Sequence, residues 1–269
     1  MTARAIVVKN LEKYFPPAYS GWRALLQPVA RLTLCALAGI SFSVEPGEAV
    51  ALIGENGAGK STLLRVLATL ILPTRGHAEI SGYDVERDGA DARKQLGYYT
   101  SGDEGFYGRL TGRENLRLFA TMNNLTRSQA GRRIKELAEL LGLEGVLDRQ
   151  TRTCSTGMLQ RLGLARSLLH APAVLLLDEP TRSLDPLAAA EFRRFLKAEI
   201  AGRLGTTLLF ASHTLGEVEE IASRVVLLAA GRIVAFDTPR NLCAQTGTAD
   251  LQGALARLTG VDSSAERRS

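Results

Sequence analysis

The sequence predicts an α/β fold with a mostly parallel sheet that carries helices on both faces. Two observations support this fold class. A glycine-rich loop lies between a short apolar strand and an apolar-rich helix, and further strands alternate with helices along the chain. Such alternation favours parallel pairing, because each helix returns the chain across a face of the sheet. The 269 residues, 45% of them hydrophobic, are ample for a large core.

The glycine-rich loop predicts the chemistry. Residues 54–61 match the pattern G-x-x-x-x-G-K-[ST] in full, with a predicted buried strand before them and a predicted helix after them. In such a loop, backbone N–H groups and the helix N-terminus face a phosphate. We expect Lys60 to reach the β- and γ-phosphates and the Ser61 hydroxyl to bind Mg²⁺, as in a P-loop nucleoside triphosphatase. The predicted nucleotide-binding residues of this loop are Gly54, Glu55, Asn56, Gly57, Ala58, Gly59, Lys60, Ser61 and Thr62.

The N-terminal part of the chain predicts short strands. Pro46-Gly47 marks a tight turn between the two strands that precede the loop. The predicted strands are Ala5–Val8, Gly39–Val44, Glu48–Ile53 and Ala78–Ile80.

The C-terminal half predicts helices alternating with strands. Thr126 to Gln129 fits a capping box, and Gly142 closes the helix that begins there. Asp185 and Pro186 are the residue types that favour the N-cap and first position of a helix. The predicted elements are helical structure over 112–142, a helix at about 156–170, a strand at 174–177, a helix from 186, and strands at 206–211, 224–229 and 232–236.

Two acids follow the predicted buried strand 174–177. Parallel strands present their carboxyl ends at the sheet edge where the phosphate loop also opens. We therefore expect Asp178 to hold Mg²⁺, directly or through water, and Glu179 to orient or deprotonate the attacking water. An ordinary surface acid pair is the alternative, and the complete phosphate loop argues against it.

Three further motifs add to these. Residues 154–161 read Cys-Ser-Thr-Gly-Met-Leu-Gln-Arg, residues 183–185 read Ser-Leu-Asp, and His213 follows a predicted strand. The order of all these motifs resembles the ATP-binding subunit of an ATP-binding-cassette (ABC) transporter, and is similar to ATPases of ABC-2-type exporters. The resemblance covers about residues 4–245. It implies ATP and Mg²⁺, an N-terminal antiparallel β subdomain and a helical signature subdomain at about 100–165.

The resemblance also implies roles for single residues. Ser155 and Gly157 would face the γ-phosphate bound by a second copy, and Ser155 begins a predicted helix, whose N-terminus attracts anions. An ordinary Ser N-cap is the alternative. Asp185 would lie between two bound nucleotides, although it also suits a helix N-cap. His213 would contact the γ-phosphate, although a lone His is more often structural.

Adenine stacking is expected at Tyr14, which falls where the family places an aromatic residue. Phe15 is the competing candidate, and core packing is the other interpretation of Tyr14.

The sequence departs from the family pattern at several points. The signature usually reads Leu-Ser-Gly-Gly-Gln, and only its Ser and second Gly are present. Ser101 occupies the place of a Gln that usually reaches Mg²⁺, and Asp103 or Glu104 could substitute for it. An insertion at about 16–37 has apolar residues at helical spacing, and it could pack on its own domain or face a membrane.

Composition and charge bear on which partners and which compartment we expect. The net charge is +5, but the Arg residues are scattered without interleaved aromatics, so we expect no nucleic acid. The three cysteines have no paired spacing, which indicates reduced thiols. The N-terminus lacks a signal-peptide pattern, and no apolar run is long enough to span a bilayer.

The resulting expectation is an ATP-binding domain over residues 1–245 and a short C-terminal tail over 246–269. It would work as a dimer with a second copy and hydrolyse ATP to drive a separate integral membrane permease, at the cytoplasmic face of the membrane. The exporter-like insertion favours export. The alternative is a soluble mechanical or regulatory ABC-type protein with weak hydrolysis, which the altered signature and Ser101 keep open.

Overall fold

The N-terminal strands form an antiparallel sheet. The structure, a computed structural model, describes residues 4–16, 34–101 and 105–260. Strand β1 (Ile6–Phe15) pairs antiparallel with β2 (Leu34–Val44) on one side and with β4 (Arg75–Ile80) on the other, and β4 also pairs with β5 (Tyr83–Asp84). This is the antiparallel β subdomain that the resemblance implies.

These strands are longer than the sequence predicted. Strand β1 was expected at Ala5–Val8, but it continues to Phe15 through shifts of register. At one of them Asn10 takes a left-handed backbone conformation, with φ of 46°. Bulges of this kind interrupt the apolar–polar alternation by which a strand is recognised in a sequence.

The second sheet holds the strands that end at the phosphate-binding edge. Its spatial order is β10-β9-β3-β8-β7-β6, and only β10 runs antiparallel to its neighbour. The strands are β3 (Ala49–Ile53), β6 (Leu96–Thr100), β7 (Val174–Asp178), β8 (Thr207–Ala211), β9 (Arg224–Ala229) and β10 (Arg232–Asp237). Strands β3, β7 and β8 are buried along their whole length, as expected for a parallel sheet covered on both faces.

Helices cover both faces of this sheet. They are α1 (Lys60–Leu67), α2 (Gly89–Gln95), α3 (Gly112–Met122), α4 (Arg127–Leu141), α5 (Thr156–Leu168), α6 (Pro186–Phe195), α7 (Leu215–Ile221), α8 (Pro239–Thr246) and α9 (Leu251–Thr259). The capping box at Thr126 and the left-handed Gly142 that ends α4 are confirmed. Helix α6 continues as a π-helix over Leu196–Arg203, which the apolar spacing did not predict.

The core lies in two layers, one on each face of the second sheet. Strand β3 shows this directly, because Ala51 and Ile53 belong to one apolar cluster and Val50 and Leu52 to the other. The first cluster contains the apolar faces of α4, α5 and α6, and the second contains α1 and the antiparallel sheet. The phosphate loop therefore begins at the end of a strand that is anchored on both sides.

The C-terminal segment differs from the simple tail that the sequence suggested. Within 246–269, α9 packs on the first cluster through the buried side chains of Leu251, Ala254 and Leu255. Residues 17–33, which make up most of the predicted insertion, and residues 261–269 lie outside the described residues. Across the described ranges, no helix is long and apolar enough to cross a membrane.

Candidate nucleotide-binding site

The phosphate loop joins β3 to α1 and depends on glycine at two positions. Gly54 and Gly59 have φ of 153° and 106°. A Cβ on Gly54 would lie 2.1 Å from the Leu228 carbonyl oxygen, and one on Gly59 would lie 2.5 Å from that of Ala36. No side chain caps the N-terminus of α1 among the described residues. Its first N–H groups therefore point into the loop without a side-chain acceptor, as an anion site requires.

Lys60 closes the loop on itself. Its ammonium donates to the carbonyl oxygens of Gly54 at 2.6 Å and Glu55 at 3.0 Å. The residue is 6% exposed, and this burial lowers the pKa of Lys60. A phosphate oxygen would compete with two neutral carbonyls for the same ammonium, and charge-assisted hydrogen bonds are the stronger kind.

Ser61 and Asp178 meet at the sheet edge although 117 positions separate them. The Ser61 hydroxyl donates to Asp178 Oδ1 at 3.0 Å. Burial, followed by the adjacent charge of Glu179, raises the pKa of Asp178 against the hydrogen bond from Ser61. A hydroxyl and a carboxylate are hard oxygen donors of the kind that Mg²⁺ prefers, and a cation here would relieve the buried charge. The two residues therefore fit a magnesium site.

Ser101 lies beside this pair through its backbone. Its N–H donates to the Asp178 carbonyl oxygen at 3.3 Å, because β6 and β7 are neighbours in the sheet. Asp103 and Glu104, the alternatives to Ser101, lie outside the described residues. The part that Ser101 takes in metal binding stays a prediction.

Glu179 turns away from Asp178 at the end of β7. Its φ of 49° is left-handed, a conformation that costs a non-glycine residue about 1–3 kcal/mol and often occurs at functional sites. Its N–H donates to the Ala211 carbonyl oxygen at 3.0 Å, which ties it to the end of β8. There Glu179 Oε1 lies 3.5 Å from His213 Nδ1. The predicted acid and the predicted His thus face each other at one edge.

Two further charged residues join this edge, and the sequence analysis missed both. Arg182 Nη1 lies 3.2 Å from Glu179 Oε2, an (i, i+3) spacing within one turn that could have been noticed. Glu217, on α7, is 1% exposed and accepts a hydrogen bond from the Ser212 hydroxyl. Burial raises the pKa of Glu217 against this hydrogen bond and the nearby Thr181 hydroxyl. A Glu on a short helix gives no sequence signal of such burial.

The signature residues lie apart from the phosphate loop. Ser155 is the exposed N-cap of α5, and its hydroxyl accepts from Met158 N at 3.4 Å. No hydrogen bond or ion pair in the described ranges joins Ser155 or Gly157 to residues 54–62. Asp185 is the N-cap of α6, and its Oδ1 accepts from Leu187 N at 3.1 Å and Ala188 N at 3.0 Å.

Tyr14 lies on the strand pair beside the phosphate loop. It pairs with Cys35 across β1 and β2, next to the Ala36 carbonyl that approaches Gly59. The Cys35 thiol beside the phenol raises the pKa of Tyr14. Phe15, the competing candidate, has the Lys13 ammonium 5.2 Å from its ring centre. Both aromatic residues therefore stay candidates for adenine stacking.

Comparison with known proteins identifies the family of this chain. A family model described as ABC transporter matches residues 37–182. NatA, an ABC transporter ATP-binding protein of Bacillus subtilis, is 35% identical over 72% of this chain and 78% of its own length. DrrA3, a daunorubicin resistance ATP-binding protein of Streptomyces coeruleorubidus, is 40% identical over 79% of this chain and 66% of its own length.

Two solved structures share the fold. The ATP-binding subunit of an ABC transporter is 30% identical, with a TM-score of 0.77, over 95% of this chain and 99% of that one. A dimeric ATP-binding cassette bound to ADP and Pi is 22% identical, with a TM-score of 0.73, over 87% of this chain and 98% of that one. The second likeness concerns the fold alone.

Proposed function

Because this chain belongs to the ABC transporter family as an ATP-binding subunit, we propose that it drives export of a substrate through a separate integral membrane permease. Like its relatives it is an ATPase, which converts ATP to ADP and phosphate. The observation that carries the proposal is the meeting of the phosphate loop with Asp178, Glu179 and His213 at one sheet edge.

In this proposal the chain's own residues divide the work of hydrolysis. Lys60 and the N-terminus of α1 hold the phosphates, and Ser61 and Asp178 hold Mg²⁺. When bound, Mg²⁺ neutralises charge on the β- and γ-oxygens. Glu179 orients the attacking water and accepts its proton, and His213, which lies 3.5 Å from Glu179 on the other loop, would contact the γ-phosphate.

The proposed working unit is a dimer of two copies. A Cβ on Gly157 would meet nothing within 4 Å among the described residues, in contrast to Gly54 and Gly59. A glycine that its own chain does not require is consistent with close approach by another molecule. Ser155 and Gly157 of one copy would thus face the γ-phosphate bound by the other, with Asp185 between the two nucleotides. The likeness in fold to a dimeric cassette supports this arrangement.

Export is the proposed direction, at the cytoplasmic face of the membrane. The relative DrrA3 is named for daunorubicin resistance, which supports an exporter of amphiphilic compounds. The alternative, a soluble mechanical or regulatory protein with weak hydrolysis, is not favoured, since NatA is named as an ABC transporter ATP-binding protein.

The test is transport in inverted membrane vesicles that contain the chain and a multi-span permease that co-purifies with it. We expect ATP-dependent accumulation of a fluorescent amphiphile, such as an anthracycline, inside these vesicles. Lys60→Ala serves as the control that lacks the ammonium for the phosphates, and it should abolish accumulation. ATP-dependent uptake only by right-side-out vesicles would contradict export, and no association with any permease would contradict the transport role.

A further inference from the structure

Each oxygen of the Glu179 carboxylate has a basic side chain within ion-pair distance. His213 Nδ1 lies 3.5 Å from Oε1, and Arg182 Nη1 lies 3.2 Å from Oε2. The two partners come from different loops, since Arg182 follows β7 and His213 follows β8. The Glu179 side chain is 19% exposed, whereas the Arg182 side chain is 69% exposed.

A carboxylate that activates water must accept a hydrogen bond from that water at about 2.6–3.2 Å. Glu179 Oε2 is buried and accepts no hydrogen bond from the described residues, so the Arg182 guanidinium acts on it as an ion pair, and this attraction favours one orientation of the carboxylate. In the described part of the chain, Glu179 is the acid with which Arg182 forms an ion pair.

The contact of Glu179 with Arg182 is easy to break, because Arg182 lies at the surface. Its side chain is 69% exposed, and exposed ion pairs contribute only about 0–1 kcal/mol. It lies three residues before Asp185, on the loop that a second copy would cover. An approaching chain can therefore draw the guanidinium away without disturbing the core.

We infer that Arg182 is a positioning residue that restrains Glu179 in the single chain and releases it when a second copy closes over this loop. The inference rests on the proposed role of Glu179 in hydrolysis. Through Arg182, dimer closure would control whether Glu179 is free to accept a proton. Arg182 belongs to neither the phosphate loop, the acids nor the signature. No hydrogen bond or ion pair among the described residues joins Arg182 to the phosphate loop or to Asp178, so its removal should change turnover and not ATP binding.

Steady-state ATP hydrolysis by the purified chain tests this directly. Arg182→Gln removes the charge and keeps a similar length, and we expect kcat to rise about two- to fivefold, as for loss of an exposed ion pair, with KM for ATP unchanged. Arg182→Lys keeps a cation and should restore kcat towards the wild-type value. Arg203→Gln is the matched control, because Arg203 is 60% exposed and pairs with Glu199 outside the site. It should leave both parameters unchanged.

The same substitution in an inactive background separates the two hypotheses. With Glu179→Gln there is no carboxylate to restrain, so adding Arg182→Gln should change nothing. An unchanged or lower kcat in Arg182→Gln alone, or a rise that persists beside Glu179→Gln, would overturn the restraint. Wild-type turnover in Glu179→Gln itself would instead overturn the proposed role of Glu179.

Discussion

The N-termini of α1 and α5 use the same physical device in different surroundings. Helix α1 follows Gly59 without a side-chain cap, and α5 follows the N-cap Ser155, and N–H groups at a helix N-terminus attract an anion. At α1 the device is completed within the chain, by Lys60, Ser61 and the acids of β7. At α5 no described side chain from the phosphate loop or the acids joins Ser155. In the proposed dimer, α1 with Lys60, Ser61 and the acids of β7 is the completed half of a composite site, and α5 of the other copy would supply the second half.

The largest effect is expected from a substitution on the α1 side of the site, at Glu179. Glu179→Gln removes the proton acceptor but keeps the shape of the side chain. Hydrolysis should fall by about 10²–10⁴-fold, the usual contribution of a positioned general base, while ATP binding stays nearly intact. The measurement is single-turnover hydrolysis together with equilibrium binding of ATP. If Glu179→Gln hydrolysed ATP at the wild-type rate, Glu179 would not be the proton acceptor.

The second half of the comparison requires mixed dimers, because Ser155 should serve the nucleotide of the other copy. In one arrangement one subunit carries Ser155→Arg and its partner carries Lys60→Ala, so that both lesions fall on one composite site. In the other arrangement a single subunit carries both changes, and both sites are damaged. Since loss of one oxyanion donor costs about 10²-fold or more, the first arrangement should hydrolyse ATP roughly tenfold faster or more.

Equal rates in the two arrangements would show that each subunit completes its own site. Ser155 would then act only as the cap of α5, and Gly157 would need another explanation. ATP-driven dimer formation, followed by light scattering, provides the second readout, and it should also favour the first arrangement.

Much of the site on the α1 side could be predicted from the sequence, because its signals are short motifs of neighbouring residues. Residues 54–61 carry their own pattern, and the strand-end rule places Asp178 near Ser61 across 117 positions. The capping signals at Thr126 and Asp185 are local too, and both caps are formed. These features need only neighbouring residues or a general property of parallel sheets.

The remainder depends on packing that no local pattern records. Asn10 and the bulges of β1 hide the true length of that strand. Helix α9 is recognised only by what it covers, since Leu251 and Leu255 could equally belong to a loose tail. Glu217 is buried beside Ser212 and Thr181, which follow β8 and β7. Contacts of this kind decide the surroundings of the site without appearing in its motifs.

The smallest expected effect is at Glu217. The test is whether ionisation of this buried side chain, next to the phosphate-binding edge, destabilises the fold. Burial raises the pKa of Glu217 above its ordinary value, so the folded chain resists its ionisation more than the unfolded chain does. Its contribution to stability is therefore intact below the ordinary Glu pKa and is lost as the pH rises through the folded pKa.

Glu217→Gln keeps the shape of the side chain and an acceptor for Ser212, so the Tm of the variant should match that of the wild type at pH 4 and exceed it at pH 8. The expected gain in Tm is about 2–4 °C, which corresponds to about 1 kcal/mol for a domain of this size. Thermal unfolding followed by circular dichroism between pH 4 and 8 measures it, and Glu219→Gln, exposed on the same helix, is the control. A difference in Tm that does not vary with pH would show that Glu217 is no more costly to ionise in the folded chain than in the unfolded one.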